Sequence, residues 1–449
     1  MQICDLIVSG ALVMTLDGDD RSFASGAVAI RGRVIVDVGP SDRVLATWQA
    51  PRIFEAHNRV LLPGLINIHN HTPLSIVRGM IEDLSFAPAY TPGLPQGHRL
   101  SVEEAHLFSR LGMYELLRAG CTTVMDYYRY PEACAAAAAD LGLRAVIGGR
   151  VHDADPEALS QGRYEHKTSI GELSLAENAA LIARWDGHDH GRLRCDWAPH
   201  APDTCSRDLL IQVSGLAAAH GGNIHSHLAQ SRAEGDVVEA RDGMTSAELY
   251  ESTGLLDQRL IAAHCIWLND VDINRVGRAG VTVAHSPIGN AKSGTIAPIM
   301  ALRAAGARIA LCTDGFTGDL FEAMRWAIAM QRVREQGFVL SAREVMAWAT
   351  KDPAEALGMA DQIGSIEVGK RADLILLDVN SPRLCPLIDG VGVLAHSASG
   401  SDVQTVIVDG RILLEDGRLM SADGPEIIRS AQKAATRLWD AAGRRSILD

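Results

Sequence analysis

The residues best suited to chemistry begin in one stretch, Leu61 to Met80, LLPGLINIHNHTPLSIVRGM. An apolar run from Leu61 to Ile68, interrupted by Pro63-Gly64, leads into His69-Asn70-His71. Side chains on a short buried strand alternate with period two, so His69 and His71 project from one face at its end, within reach of a single ion. Neutral imidazole is the commonest nitrogen ligand for zinc, and a catalytic ion needs about three protein ligands plus an open position for water. Two histidines two apart also occur by chance on surfaces, so the rest of the chain must decide between the readings.

Positioning such residues takes strands that end at a common place. Strand-like runs near 62–69, 121–126, 143–150, 193–199, 222–227, 260–264, 280–285 and 307–313 alternate with helical stretches at 102–119, 131–141, 174–185, 206–220, 244–252, 296–305 and 320–335. That alternation is the pattern of a (β/α)8 TIM-type barrel, whose chemistry is built at the C-terminal ends of the strands. Those ends carry His69 and His71, Asp126, Arg150, His200, His225 and His227, His264, His285 and Asp314. Taken singly, each is better explained as a satisfied core or capping residue. Their recurrence at successive strand ends favours a shared site.

Both chain ends have a different style, with strand, Gly turn, strand patterns in CDLIVSGALVMTLD, SGAVAIRGRVIVDVG, RADLILLDVN and DVQTVIVDGRILLEDG. They predict one small β-sandwich assembled from both ends. The expected organisation is 1–60 and 365–425 for the sandwich, 61–364 for the barrel and 426–449 for a C-terminal helix, with helices at 341–357 and 425–442 outside the barrel.

A formal net charge of −13, with no basic stretch, argues against a nucleic-acid or anionic-membrane partner. The 8 cysteines are scattered singly with no C-x-x-C, as suits free thiols in a reducing compartment. No basic start with a long apolar run precedes the first strand, and no stretch reads as a membrane span, so a cytoplasmic enzyme is expected. A homodimer is the commonest assembly for such enzymes.

PGLINIHNH, APHAPDTCS, HLAQ, AHC, AHSPIGNAKSG and ALCTDG, in this order and across nearly the whole chain, resemble the amidohydrolase superfamily. The branch is that of cytosine-deaminase-like and chlorohydrolase-like enzymes, which act on purines, pterins, triazines and related heterocycles. GSIEVGKRADLILLD resembles the segment that returns such chains from barrel to sandwich. The resemblance implies one divalent metal per chain, zinc or alternatively iron, held by His69, His71, His227 and Asp314. Relatives with two metals bridge them through a modified lysine on the fourth strand, which here ends in His200. His225 lies one layer deeper and reads as structural. His285 either orients the Asp314 region or fills the barrel mouth.

The implied reaction is hydrolytic displacement at an sp² ring carbon, releasing ammonia. The metal brings water towards neutral pKa, Asp314 takes its proton, and His264 stabilises the nucleophile or the developing charge. His200, Gln230, Arg78 and Trp197 are the expected substrate-binding residues, with Tyr127 and Arg150 also at the pocket. The small zinc deaminases differ, because their H-x-E and P-C-x-x-C signature is absent. One departure stands out. Relatives carry His-x-x-Glu on the fifth strand, whereas HLAQ places Gln230 there, an amide that hydrogen-bonds without titrating. Glu234, four residues later, reads as a solvated loop or helix-start charge or, alternatively, as a carboxylate approaching the site. Hydrolysis of an amide, urea or carbamate, or of a carbon–halogen or carbon–sulfur bond, is therefore the alternative activity, and a non-catalytic structural homologue the remaining one. The stretch AYTPGLPQGHRL reads as an ordered lid or as ordinary loop punctuation.

Overall fold

The computed structural model describes residues 1–81 and 100–444. Most of AYTPGLPQGHRL lies outside the described residues. Eight parallel strands follow one another around a barrel: Leu65–Asn70, Cys121–Tyr128, Arg144–Val151, Leu193–Pro199, Ile224–Leu228, Leu260–His264, Thr282–His285 and Arg308–Leu311. Each lies within about three residues of its expected position. The last strand meets the first through paired side-chain and backbone contacts. The Asn67 amide donates to Thr313 Oγ1 at 2.7 Å, and the Asp314 N–H donates to the His69 carbonyl at 3.2 Å.

Period-two alternation sorts the strand residues into two layers. Ile66, Ile68, Met125, Tyr127, Val146, Ala198, Ile261, Ala263, Ala284, Ala310 and Cys312 pack together inside the barrel. Their neighbours, among them Val124, Ile147, Cys195, Trp197, Ala262 and Leu311, belong to the large core facing the helices. Small residues dominate the inner layer of the later strands, which leaves room above them for the histidines.

The other sheet, nine-stranded among the described residues, draws on both chain ends. Its central strand, Arg59–Pro63, runs parallel to Leu6–Met14 on one side and antiparallel to Leu374–Asp378 on the other. Only Gly64 separates that strand from the first barrel strand. A side chain at Gly64 would collide with Thr122, with an added Cβ 2.0 Å from its hydroxyl oxygen, so glycine is required at this crossing.

Several helices correct the sequence reading. The helix expected at 341–357 is two, Ala342–Ala347 and Lys351–Ala356, because Pro353 lacks the N–H that would continue it. The carbonyls freed at the break serve the barrel. Trp348 accepts from the Leu311 N–H at 2.8 Å and Ala349 from that of Ile66 at 2.9 Å. Helices Arg232–Asp242 and Asp270–Arg278 escaped notice because both are polar, with few buried apolar positions. Helix Gly424–Ala441 lies over the first barrel connection, where the Trp439 indole N–H donates to the Ile76 carbonyl at 2.9 Å. Among the described residues no helix is long and apolar enough to cross a membrane.

Candidate active site

His69 is the penultimate residue of the first strand, and His71 lies one residue beyond its end, where the chain enters a short 3-10 turn. A register shift between Asn67 and Asn70 bends the strand here. The turn is pinned from the second strand by buried Asp126, whose carboxylate accepts from the Thr72 N–H at 2.8 Å and hydroxyl at 2.6 Å. His227, His264 and Asp314 come from the fifth, sixth and eighth strand ends. His264 and Asp314 have φ of 75° and 57°, and Ala229, just after His227, has 50°. Left-handed backbone at non-glycine residues costs energy that the surrounding structure must hold, around this cluster as at several turns elsewhere in the chain.

The side chains converge. His69 Nε2 stands 3.2 Å and His71 Nε2 3.6 Å from Asp314 Oδ1, while His264 Nε2 faces Asp314 Oδ2 at 3.8 Å. Ligand atoms of His69, His227, His264 and Asp314 all lie within 4.8 Å of one another. Hydrogen bonds fix the ring orientations. His71 Nδ1–H donates to the Tyr127 carbonyl at 2.6 Å, and His227 Nδ1–H to the His200 carbonyl at 2.7 Å. Both rings therefore turn an unprotonated Nε2 inward, and these two atoms are 3.3 Å apart. Two lone pairs facing each other repel unless a cation lies between them. With bonds of about 2.0–2.1 Å, two nitrogens on one tetrahedral zinc ion stand about 3.3 Å apart, so the donor set fits a metal.

Electrostatics keep the site ready for a cation. Burial pushes His71 down to about 3, and His200 and His227 well below the usual histidine range, so these imidazoles are neutral. Burial alone would raise Asp314, but His264, His69 and His71 outweigh it and bring the carboxyl down to about 2. His264 Nδ1–H points to the Asn290 side-chain oxygen at 3.3 Å, which aims Nε2 at Asp314. His200 is held by Thr204 Oγ1 at 2.7 Å, and its ring centroid is 4.9 Å from that of His227.

The model of the Amidohydrolase family matches residues 60–413. The chain belongs to that family. It is 34% identical over 444 residues to a 5'-deoxyadenosine deaminase of Methanosarcina barkeri, covering 97% of this chain and 99% of the relative. It is 35% identical to a 5-methylthioadenosine/S-adenosylhomocysteine deaminase of Desulforudis audaxviator, covering 96% and 99%. Among solved structures, an adenosine deaminase from Xanthomonas campestris with bound zinc superposes with a TM-score of 0.89 at 26% identity, over 97% of this chain and 99% of that one.

In this amidohydrolase three expected residues have other surroundings. Trp197 alternates with Ala198 and faces the helices, inside the large outer core, so it does not line the site. Arg78 pairs with Glu115 in a groove bounded by Ile428, Ala431 and Trp439 of the C-terminal helix, and no residue of the histidine cluster lines that groove. Glu234 is neither solvated nor at the surface. It is buried at the start of helix Arg232–Asp242, and its carboxylate accepts from the N–H groups of Ala229 at 2.8 Å and Gln230 at 3.0 Å. Burial, with Asp203 nearby, raises it to about 7. It thereby fixes the backbone that carries Gln230, which is half-buried on the third residue after His227. His225 is fully buried below the cluster, its Nε2 3.7 Å from Asp196, in keeping with a structural role. His285 is likewise buried, without a hydrogen bond to the described residues. Asn290 and Thr204, which orient His264 and His200, were missed, although both lie within motifs that carried the family resemblance.

Proposed function

We propose that this amidohydrolase deaminates the adenine ring of a nucleoside altered at its 5' position, using one zinc ion per chain. The observation that carries the reading is the likeness to 5'-deoxyadenosine and 5-methylthioadenosine/S-adenosylhomocysteine deaminases along essentially the whole chain. The converging histidines and aspartate support it chemically.

His69, His71, His227 and Asp314 would hold the ion. When bound, it supplies Lewis acidity that makes water nucleophilic near neutral pH. Asp314 divides its carboxylate between two tasks: Oδ1 faces His69 and His71, while Oδ2 faces His264 and accepts the proton of the attacking water. His264, oriented by Asn290, hydrogen-bonds to the oxygen that joins the ring carbon and stabilises the charge developing there. His200 presents its ring to a heterocycle nitrogen. Gln230 positions the ring, and the proton that Asp314 takes from water passes to the amine as its bond to the ring carbon breaks, so that it leaves as ammonia. Seven of the 8 cysteines are buried and all are free, which supports a cytoplasmic setting; we assign a homodimer as the assembly.

The zinc-loaded protein should release ammonia from 5'-deoxyadenosine, 5'-methylthioadenosine or S-adenosylhomocysteine, with loss of activity on chelation. No ammonia from any adenine nucleoside would remove the reading. Gln230 favours a second one. An amide cannot protonate a departing amine, so a ring bearing a better leaving group, such as a halide or thiolate, suits this site.

A further inference from the structure

Tyr127 is a buried phenol on the inner face of the second barrel strand, among Ile68, Met125 and Ala198. A phenol buried in apolar surroundings requires a hydrogen-bond partner, and this one finds it at the metal-ligand layer. Its hydroxyl oxygen stands 2.6 Å from His227 Nδ1 and 3.1 Å from its Nε2, and donates towards the His200 carbonyl at 3.4 Å. That carbonyl is the one that accepts from His227 Nδ1–H. The backbone carbonyl of the same Tyr127 accepts from His71 Nδ1–H at 2.6 Å. His71 and His227 belong to the first and fifth strands, and one residue of the second strand touches the outer nitrogen of both.

We propose that Tyr127 is a positioning residue that sets the separation between the inward-facing nitrogens of His71 and His227, and with it the retention of the metal. Its carbonyl takes the Nδ1–H of His71, while its phenol packs against the His227 ring whose Nδ1–H the His200 carbonyl takes. Groups bonded to the far nitrogen of a ligating imidazole fix its tautomer and ring angle, and their loss typically lowers metal affinity about 10–100-fold. The inference rests on the metal reading of the site.

Tyr127→Phe removes the hydroxyl and keeps both the ring and the carbonyl. In competition with a chelator, zinc should leave this variant about 10–100-fold more readily than it leaves the wild-type protein. Thermal unfolding of the metal-free forms should be unchanged, and excess zinc should restore turnover. Zinc retention equal to wild type, or a lowered melting temperature without a change in zinc affinity, overturns the role assigned to Tyr127 while leaving the metal site standing. Wild-type protein that takes up no zinc overturns both.

Discussion

Asp314 Oδ2 stands 3.8 Å from His264 Nε2, on the side of the carboxylate opposite His69 and His71. One carboxylate thus links the candidate ligands to a histidine that ends a strand of its own. His264→Asn should lower kcat by about 10²–10⁴, the span for a lost acid–base group, with zinc content unchanged by elemental analysis. Loss of zinc in that variant would place His264 among the ligands, which its proximity to His69 and His227 permits.

Gln230 gives the second prediction. Gln230→Glu restores a titrating carboxyl beside the ring and should raise turnover of adenine nucleosides while adding an acidic limb to the pH–rate profile. Gln230→Ala should raise KM if the amide positions substrate. Because Glu234 is tied to two backbone N–H groups, Glu234→Gln should damage both kinetic constants through the loop. A loss confined to the acid limb of kcat would instead make Glu234 the proton donor.

Stability should weaken with acid through His285. Burial pushes this imidazole down to about 3, so between the ordinary histidine value and that point the unfolded chain holds a proton that the folded chain refuses. More protons bound in the unfolded state means that stability falls as pH falls, by about 1.4 kcal/mol per pH unit for one group. Urea unfolding of metal-stripped protein between pH 6 and 4 should therefore show a shallower pH dependence for His285→Leu than for wild type. Equal slopes would show that His285 titrates normally.

A fourth prediction concerns the barrel floor. The Arg144 guanidinium, 1% exposed, donates to Asp373 at 2.7 Å and to Asp409 as well, tying the third barrel strand to the sheet built from the chain ends. Arg144→Met leaves Asp373 buried without its cation, while Asp409 keeps Arg33 and Arg371, and should cost about 3–5 kcal/mol in denaturant unfolding. Replacing all three residues with apolar ones of similar volume should recover most of that loss.

The barrel and the cluster were legible because apolar strands ending in histidine or aspartate leave a pattern along the chain. Trp197 was misplaced although parity was available: it lies an odd number of residues from His200, and strand residues of opposite parity face opposite layers. Arg78 was not recoverable in this way, since its partner Glu115 sits on a helix whose packing no local pattern reveals. Glu234 was read as solvated because the helix it opens is too polar to show an apolar stripe. Tyr127 has no tell-tale spacing at all. Its contact with His227 depends on closure of the barrel, which sets the fifth strand across the interior from the second.

Leu62 pairs with Ile375 in the sheet strand that continues through Gly64 into His69. The segment carrying the first two candidate ligands therefore obtains one of its two flanking strands only after more than three hundred further residues have left the ribosome. Until then one edge of Arg59–Pro63 stays bare, open to pairing with another chain. Such long-range closure makes folding slow and places completion of this strand near the end of synthesis. Completion of the strand that leads into the candidate metal site is thus tied to translation of Leu374–Asp378, well downstream of every candidate ligand.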